Sequence, residues 1–328
     1  MTLRPGILVA ALCHRQALSP VVWELLAAGR SLADSSGQAL SAVLAGGTAE
    51  QARELVERGA DRVYWIQHPA LDAFNEELHA AAVLEVALKQ QPGRILLPAN
   101  VAGRSLAARL AVKLDAGLAT DVTSLAADGR ARRSHYSGNL IADVEFLSPT
   151  QVLTLSPMAF PAAPRTAGRS GEVEKIPFEP APARTEFVSF QAEEAGELDL
   201  GSAERIVSGG RGVGSPEGFS AIRGLAHALG AAVGASRAAV DSGWIPYRHQ
   251  VGLTGRTVRP KLYLACGISG QIQHLAGMSG SAHIVAINSD PACPMMQLAT
   301  VSVTGDMFEL IPLIIAEVQK RSSSPVAA

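Results

Sequence analysis

The chain has 328 residues, 48% of them hydrophobic and 18% charged, with a formal net charge of −2. That is enough apolar material for one large or two ordinary domains, and the charge leaves no basic footprint for nucleic acid. No apolar run approaches the roughly 18–20 residues that span a bilayer. Cys13, Cys266 and Cys293 lie too far apart for a metal site, so they read as reduced, buried thiols of a cytoplasmic protein.

The first half alternates strand and helix. "GILVAAL" is a continuous apolar run, as a sheet covered on both faces requires, and no small-residue cleavage site follows it. "SPVVWELLAAGRSLA" predicts a helix with Ser19 as N-cap and Pro20 at its first position. "ALSAVLAGG", "RVYWIQH" and "GRILLPAN" predict strands; "AEQARELVERGA", "AFNEELHAAAVLEVALKQ" and "GRSLAARLAVKLD" predict helices. Alternation at this pitch means βαβ units and a parallel sheet. From "GLATDVTSL" to "TQVLTLSP" short strands follow without helices, which predicts an antiparallel extension at the sheet edge.

Between about Ala159 and Leu200 the chain is rich in Pro, Ala and Gly and loses helical periodicity, as a linker or an extended crossing strand does. A second alternation follows. Strands are expected at "RIVS", "AAVG", "KLYLAC", "HIVAIN" and "ATVSVT". Helices are expected at "SPEGFSAIRGLAHALG", "ASRAAVDSG", "GQIQHLAGM" and "IPLIIAEVQKR", the last restarting at Pro312 after a short turn from Asp306. Phe219, Ile222, Ala226 and Leu229 share one helical face. The expected organisation is an α/β domain over 1–190, a linker over 191–203 and a second α/β domain over 204–328. Each is built on a mainly parallel sheet with helices on both faces.

Every glycine-rich or polar cluster of the second half follows a predicted strand: "GGRGVG", "ASR", "GISG", "SD" and "GD". In an open parallel sheet those strand ends share one edge, and ligands bind in the crevice outside it. Glycines there admit a ligand to the backbone, and helix N-termini offer free N–H groups to anions. This spacing points to a nucleotide or dinucleotide site. Each residue also has a plainer reading. Ser236 fits an N-cap, and Asp306 with Glu309 fits a capping box. Arg211 fits a solvated turn, His274 a satisfied helix histidine and His283 a structural strand residue.

The stretches "VSGGRGVGSPEGF", "HALGAAVGASRAAVDSGWIP", "HQVGLTG", "KLYLACGISGQIQHLAGMSGS" and "IVAINSDPACPMM" resemble the FAD domain of the electron-transfer flavoprotein alpha subunit. In the first half, "ILLPANVAGRSLAARLAVKLDAGLATDV", "YSGNLIADV" and "MAFPAA" are similar to the same subunit in the same order. The resemblance implies FAD as cofactor and a separate beta subunit as partner, packed on the first domain. It implies that Arg211 reaches the pyrophosphate together with the loop of Gly267, Ile268, Ser269 and Gly270. It sets Ser236 and Arg237 beside the flavin, the guanidinium near its N5/O4 edge. Gln250, Val251, Gly252, Leu253 and Thr254 line the ring system, with the Thr254 hydroxyl near N5. Gln273 and His274 close the site, His274 on the O2 side, and Asn288 and Asp306 hold the adenosine end. Leu253 stands where the family commonly has Gln, which removes a polar contact, and Thr300 replaces a commonly acidic position.

The implied role is an electron carrier without substrate chemistry of its own. It accepts electrons from flavin dehydrogenases, such as acyl-CoA dehydrogenases of fatty acid β-oxidation, and passes them to a quinone reductase or similar acceptor. One-electron reduction puts negative charge around a flavin's N1 and O2, and a cation or strong donor there stabilises it as an oxyanion hole does an oxyanion. Arg237 and His274 are the right kinds of group. Two alternatives use the same sheet edge: a nicotinamide-dependent dehydrogenase, or a non-redox nucleotide-binding subunit. No strand–GxGxxG–helix unit with a following acidic residue favours the first.

Overall fold

Short apolar runs become buried parallel strands in both halves of the chain. The computed structural model describes residues 3–14, 17–126, 128–136, 140–189 and 199–323. Two compact units divide the chain, one of residues 1–135 and 141–191, the other of residues 136–140 and 192–328. The expected linker lies outside the described residues as far as residue 198.

The first unit runs β1 (Ile7–His14), β2 (Ala17–Leu18), α1 (Val21–Ser36), β3 (Leu40–Ala45), α2 (Ala49–Glu57), β4 (Arg62–Ile66), α3 (Glu76–Gln90), β5 (Arg94–Pro98) and α4 (Val101–Leu114). It continues through β6 (Gly117–Leu125), β7 (Ala131–His135), β8 (Leu140–Val144), β9 (Gln151–Leu155) and β10 (Glu172–Lys175). The sheet order is β10-β4-β3-β1-β5-β9-β6-β7-β8. Along β1, Ile7, Val9 and Ala11 bury against the α1 and α2 side, while Leu8, Ala10 and Leu12 bury against the α3 and α4 side. Burial on both faces is why the strand reads as an unbroken apolar run.

Three expectations are corrected here. An antiparallel extension does stand at the sheet edge, but "TQVLTLSP" is not part of it: β9 lies parallel between β5 and β6, with all five of its residues buried. The antiparallel part is the β6–β7 pairing beyond it. The excursion through β7 and β8 replaces a helix as the crossover, so the chain re-enters in the parallel sense. Second, the segment after Ala159 contains the extended strand and not a free linker, and that strand joins the first sheet instead of crossing between domains: β10 adds parallel to β4. Arg58 donates to the Ala163 carbonyl at 2.7 Å, and Arg165 and Arg169 pair with Glu57 and Asp61. Third, α1 begins at Val21, with Pro20 and not Ser19 at its cap.

The second unit runs β11 (Arg205–Gly209), α5 (Phe219–Leu229), β12 (Ala232–Ala235), α6 (Arg237–Asp241), β13 (Leu262–Cys266), α7 (Ile272–Met278), β14 (His283–Asn288), α8 (Pro294–Leu298), β15 (Val301–Thr304) and α9 (Met307–Ser323). Its sheet order is β12-β11-β13-β14-β15, with every pair parallel. Phe219, Ile222, Leu225 and Ala226 of α5 bury with Met307 and Ile311 of α9 on one face. Tyr263, Met278 and Met295 bury on the other. The expected break at Pro312 is absent: α9 is continuous from Met307, and the proline sits inside it. Pro312 removes one backbone bond, to the carbonyl of Phe308, an exposed residue, while burial of Met307 and Ile311 holds the flanking turns in register. Cys13, Cys266 and Cys293 are free and buried.

Candidate functional site

Because all five strands of the second sheet are parallel, their carboxyl ends meet at one edge. The strand order reverses between β11 and β13, both neighbours in the sheet though far apart in sequence. A crevice opens at such a point in this class of sheet.

Backbone forms the floor. The Gly210 amide donates to the Cys266 carbonyl at 2.9 Å, the Gly212 amide to the Gly267 carbonyl at 3.0 Å, and the Gly267 amide to the Ile287 carbonyl at 2.9 Å. A Cβ at Gly210 would lie 2.2 Å from the Gly267 oxygen, and Gly267 has φ +61°. Only glycine meets both demands, so the two strand-end loops touch main chain to main chain. Arg211 begins the 3-10 turn after β11, is exposed, and makes no ion pair among the described residues.

The next wall is tied to β12. Ser236 accepts helix α6 at the N-cap position, and its amide donates to the Gly209 carbonyl at 3.0 Å. Its hydroxyl makes no capping bond and is buried without any partner. The plain capping role therefore does not account for it, and an orphaned buried hydroxyl costs about 1–3 kcal/mol. Arg237 lies at the same edge, 67% exposed, and its Nε pairs with Asp241 at 3.1 Å.

The loop of Gln250, Val251, Gly252, Leu253 and Thr254 crosses beneath. The Val251 amide donates to Ala235 at 2.9 Å, and Leu253 donates to the Gln273 carbonyl at 2.7 Å. The Gln250 side chain donates to the Thr254 hydroxyl at 2.9 Å. Gln250, Val251 and Gly252 are buried, whereas Leu253 is 60% exposed and Thr254 is open. A Cβ at Gly277 would lie 2.4 Å from Gly252 Cα, so this loop and α7 also meet at backbone contact.

Along the remaining edge, Ile268 is buried, and its carbonyl accepts from the Asn288 side chain at 3.0 Å. Ser269 is exposed and its carbonyl accepts from Met295 at 3.1 Å; Gly270 is buried beside the same residue. Asp306 accepts from the Phe308 amide at 2.8 Å; Glu309 returns no side-chain bond among the described residues, so this is a simple cap and not a capping box. Gln273 is exposed at the start of α7. His283 is the exposed first residue of β14, at the opposite end of the strand. Thr300 has a structural use: its hydroxyl accepts from the Ile284 amide at 3.1 Å.

His274 is buried to 6% exposure, and its Nε2 lies 3.0 Å from the Tyr263 hydroxyl. Its Nδ1 is buried with no hydrogen-bond partner. Burial pushes its pKa down to about 4, and the Val251 backbone works in the other direction. The ring is therefore neutral at ordinary pH, which leaves the donor role and removes the cation role of the two that the residue type allowed. Burial also raises the Tyr263 phenol, and lifts the Cys266 thiol to about 12, so neither ionises. Tyr263 escaped the sequence reading. The available signal was a tyrosine inside the apolar strand "KLYLAC", whose hydroxyl must find a partner.

The edge thus combines close-set backbone, exposed Arg211 and Arg237, and two orphaned buried polar atoms, Ser236 Oγ and His274 Nδ1. That set fits a group with anionic phosphates at one end and a polar heteroaromatic ring at the other. Among the described residues no cluster suits a metal ion, and no helix is long and apolar enough to cross a membrane.

Comparison with known proteins agrees with this partition. The profile of the electron transfer flavoprotein domain matches residues 7–181, and that of the electron transfer flavoprotein FAD-binding domain matches residues 199–279. The electron transfer flavoprotein subunit alpha of Thermoanaerobacterium thermosaccharolyticum is 43% identical over 311 residues, 92% of this chain and 94% of that protein. The subunit alpha of Bacillus subtilis is 37% identical over 303 residues, 92% of this chain and 93% of that protein. Protein FixB of Azotobacter vinelandii is 37% identical over 316 residues, 92% of this chain and 87% of that protein.

Proposed function

The chain belongs to the electron transfer flavoprotein alpha-subunit family, and from that premise we propose that it is the FAD-carrying half of a two-subunit electron carrier. FAD is the cofactor of its second domain. The observation that carries the reading is the glycine-lined edge at the strand reversal, where Ser236 Oγ and His274 Nδ1 are buried without partners. We assign Arg211 and the Gly267–Gly270 loop, with Ser269, to the pyrophosphate, and Asn288 and Asp306 to the adenosine end. Ser236, Arg237, the Gln250–Thr254 loop, Gln273 and His274 are assigned to the ring system. FAD supplies the one- and two-electron chemistry when bound. Arg237 supplies positive charge at that edge, His274 a neutral N–H donor, and the buried Val251 and Gly252 keep water from the ring. No nucleophile or acid–base pair is needed for such a role.

The partner is a beta subunit, and the donors are flavin dehydrogenases such as acyl-CoA dehydrogenases, with a quinone reductase or similar acceptor, in the cytoplasm. Exposed apolar side chains support a partner on each unit. Val101 and Val112 stand out from α4. Val301 and Val303 of the edge strand β15 lie open on the sheet face that α9 covers, and Leu310, Leu313, Ile314 and Val318 of α9 line a groove of their own. The nicotinamide alternative is disfavoured by the turn after β11, since the helix begins only at Phe219 and no dinucleotide fingerprint opens it. The test is absorbance of the chain purified with a beta-type subunit. A stoichiometric flavin spectrum, bleached by a reduced dehydrogenase, is expected; a colourless complex that binds nicotinamide instead would refute it.

A further inference from the structure

The Gln250–Thr254 loop is a tight turn on a short stem. The stem closes where the Arg256 amide donates to the Gln250 carbonyl at 2.7 Å and the Gly252 amide to the Arg256 carbonyl at 3.1 Å. The Gly255 amide donates to the Gly252 carbonyl at 3.1 Å, so Leu253 and Thr254 are the two central residues of a β-turn. The Leu253 amide is tied to α7 through the Gln273 carbonyl at 2.7 Å. Thr254 has no such main-chain tie among the described residues. Two side chains hold it instead. Gln250 donates to its hydroxyl at 2.9 Å, and the Tyr247 phenol donates to its carbonyl.

That carbonyl belongs to the same peptide unit as the Gly255 amide. The unit is therefore held at both ends, its N–H by Gly252 and its C=O by Tyr247. A planar unit pinned at both ends resists rotation about the Thr254 Cα–C bond. Local chain chemistry supplies no such stiffness. Position 255 must be glycine, because a Cβ there would lie 2.3 Å from the Gln250 carbonyl oxygen, and glycine is the most freely turning residue. Tyr247 is itself well anchored. It opens the 3-10 turn Tyr247–His249, in which the Gln250 amide donates to the Tyr247 carbonyl at 2.9 Å. His249 is buried, with its Nδ1 2.9 Å from the Val233 carbonyl of β12, which fixes the turn to the sheet. The Tyr247 ring is 63% exposed, so core packing does not account for it. Its hydroxyl bond does.

We propose that Tyr247 is a positioning residue of the crevice: its phenol braces the Thr254–Gly255 peptide, so that the Thr254 hydroxyl faces the cofactor's ring system in one orientation. The inference rests on the flavin reading of this edge and adds to it a residue outside the loop that lines the ring. Tyr247 acts through the main chain of Thr254.

Tyr247→Phe keeps the exposed ring and removes the brace. In the complex with a beta-type subunit, amide exchange at Gly255 should speed by roughly three- to tenfold, the scale of one hydrogen bond. FAD release should speed by a similar factor. The visible absorption band of the bound flavin should shift in the same direction as in Thr254→Val, which lacks the hydroxyl. In a Thr254→Val background, Tyr247→Phe should still speed Gly255 exchange but add nothing to flavin release or to the band position, because the two residues act on the ring as one unit. Parent-like Gly255 exchange in Tyr247→Phe overturns the brace. An equal effect of Tyr247→Phe on flavin release in both backgrounds overturns the route through Thr254. A complex that purifies without flavin refutes the cofactor reading instead, and Gly255 exchange then judges the brace by itself.

Discussion

Gly210 and Gly267 meet main chain to main chain across the strand reversal: a Cβ on Gly210 would stand 2.2 Å from the Gly267 carbonyl oxygen. Neither loop can retreat without breaking the Gly210–Cys266 or Gly267–Ile287 backbone bonds, each 2.9 Å long. Gly210→Ala should therefore cost at least about 1–3 kcal/mol of stability, the usual scale of overpacking. It should also loosen FAD, because the floor of the crevice moves. Urea unfolding and flavin retention on dialysis measure the two effects, and parent-like values for both would show that the contact is soft.

Arg211 is exposed, carries no ion pair among the described residues, and lies at the same edge. Arg211→Ala should weaken FAD binding by roughly 1.5–3 kcal/mol, one charge-assisted contact, or about ten- to a hundredfold in Kd. Equilibrium dialysis gives the number. Unchanged affinity would leave the side chain as a solvated turn arginine.

Arg237 pairs with Asp241 at 3.1 Å in a contact that is 67% and 62% exposed on its two sides. An exposed pair of this kind holds the guanidinium by only a few tenths of a kcal/mol, so it leaves the side chain available to an anionic partner. Arg237→Ala should lower the first one-electron potential of the bound flavin. Arg237→Lys should fall between, since the charge stays while the planar fork is lost. Asp241→Ala should leave the potential close to that of the parent. A dithionite titration separates these outcomes, and an unshifted Arg237→Ala curve would reduce the residue to its surface pair.

Acid should weaken both units through buried histidines. His274 is pushed down to about 4 by burial, and burial also lowers His79, the fully buried histidine of α3. Their folded values lie below the unfolded value near 6.5, so the unfolded chain binds more protons between them. Stability is then complete above about pH 6.5 and is lost as pH falls toward 4, by about 1.4 kcal/mol per pH unit for one such histidine. Asp61 and Glu57, held low in the folded state, stabilise above the ordinary carboxylate range and lose that contribution only as pH falls through it; Glu24, raised by burial, works in the opposite sense. Urea midpoints at pH 7.5, 6 and 5 test this. His274→Gln should flatten the slope for the second unit, and an unchanged slope would exclude His274 as its source.

The sequence by itself determined the layers and the sheet edge at which the polar and glycine-rich clusters gather. Runs such as "GILVAAL" had to become strands buried on two faces, and the glycine-rich or polar clusters after each strand of the second half had to gather once those strands ran parallel. Both follow from local pattern plus the handedness of βαβ units. Tertiary structure alone decided the rest. β9 enters between β5 and β6, and β10 extends β4, because strand partners are chosen by which distant faces remain to be covered, and no short window records that. Pro312 stays inside α9 because burial of Met307 and Ile311 outweighs one missing backbone bond. The charge state of His274 also depended on the fold. Its residue type allowed a cation or a strong donor, but a histidine that is buried against a tyrosine 11 residues away in sequence is neutral, since desolvation acts on the ionised form.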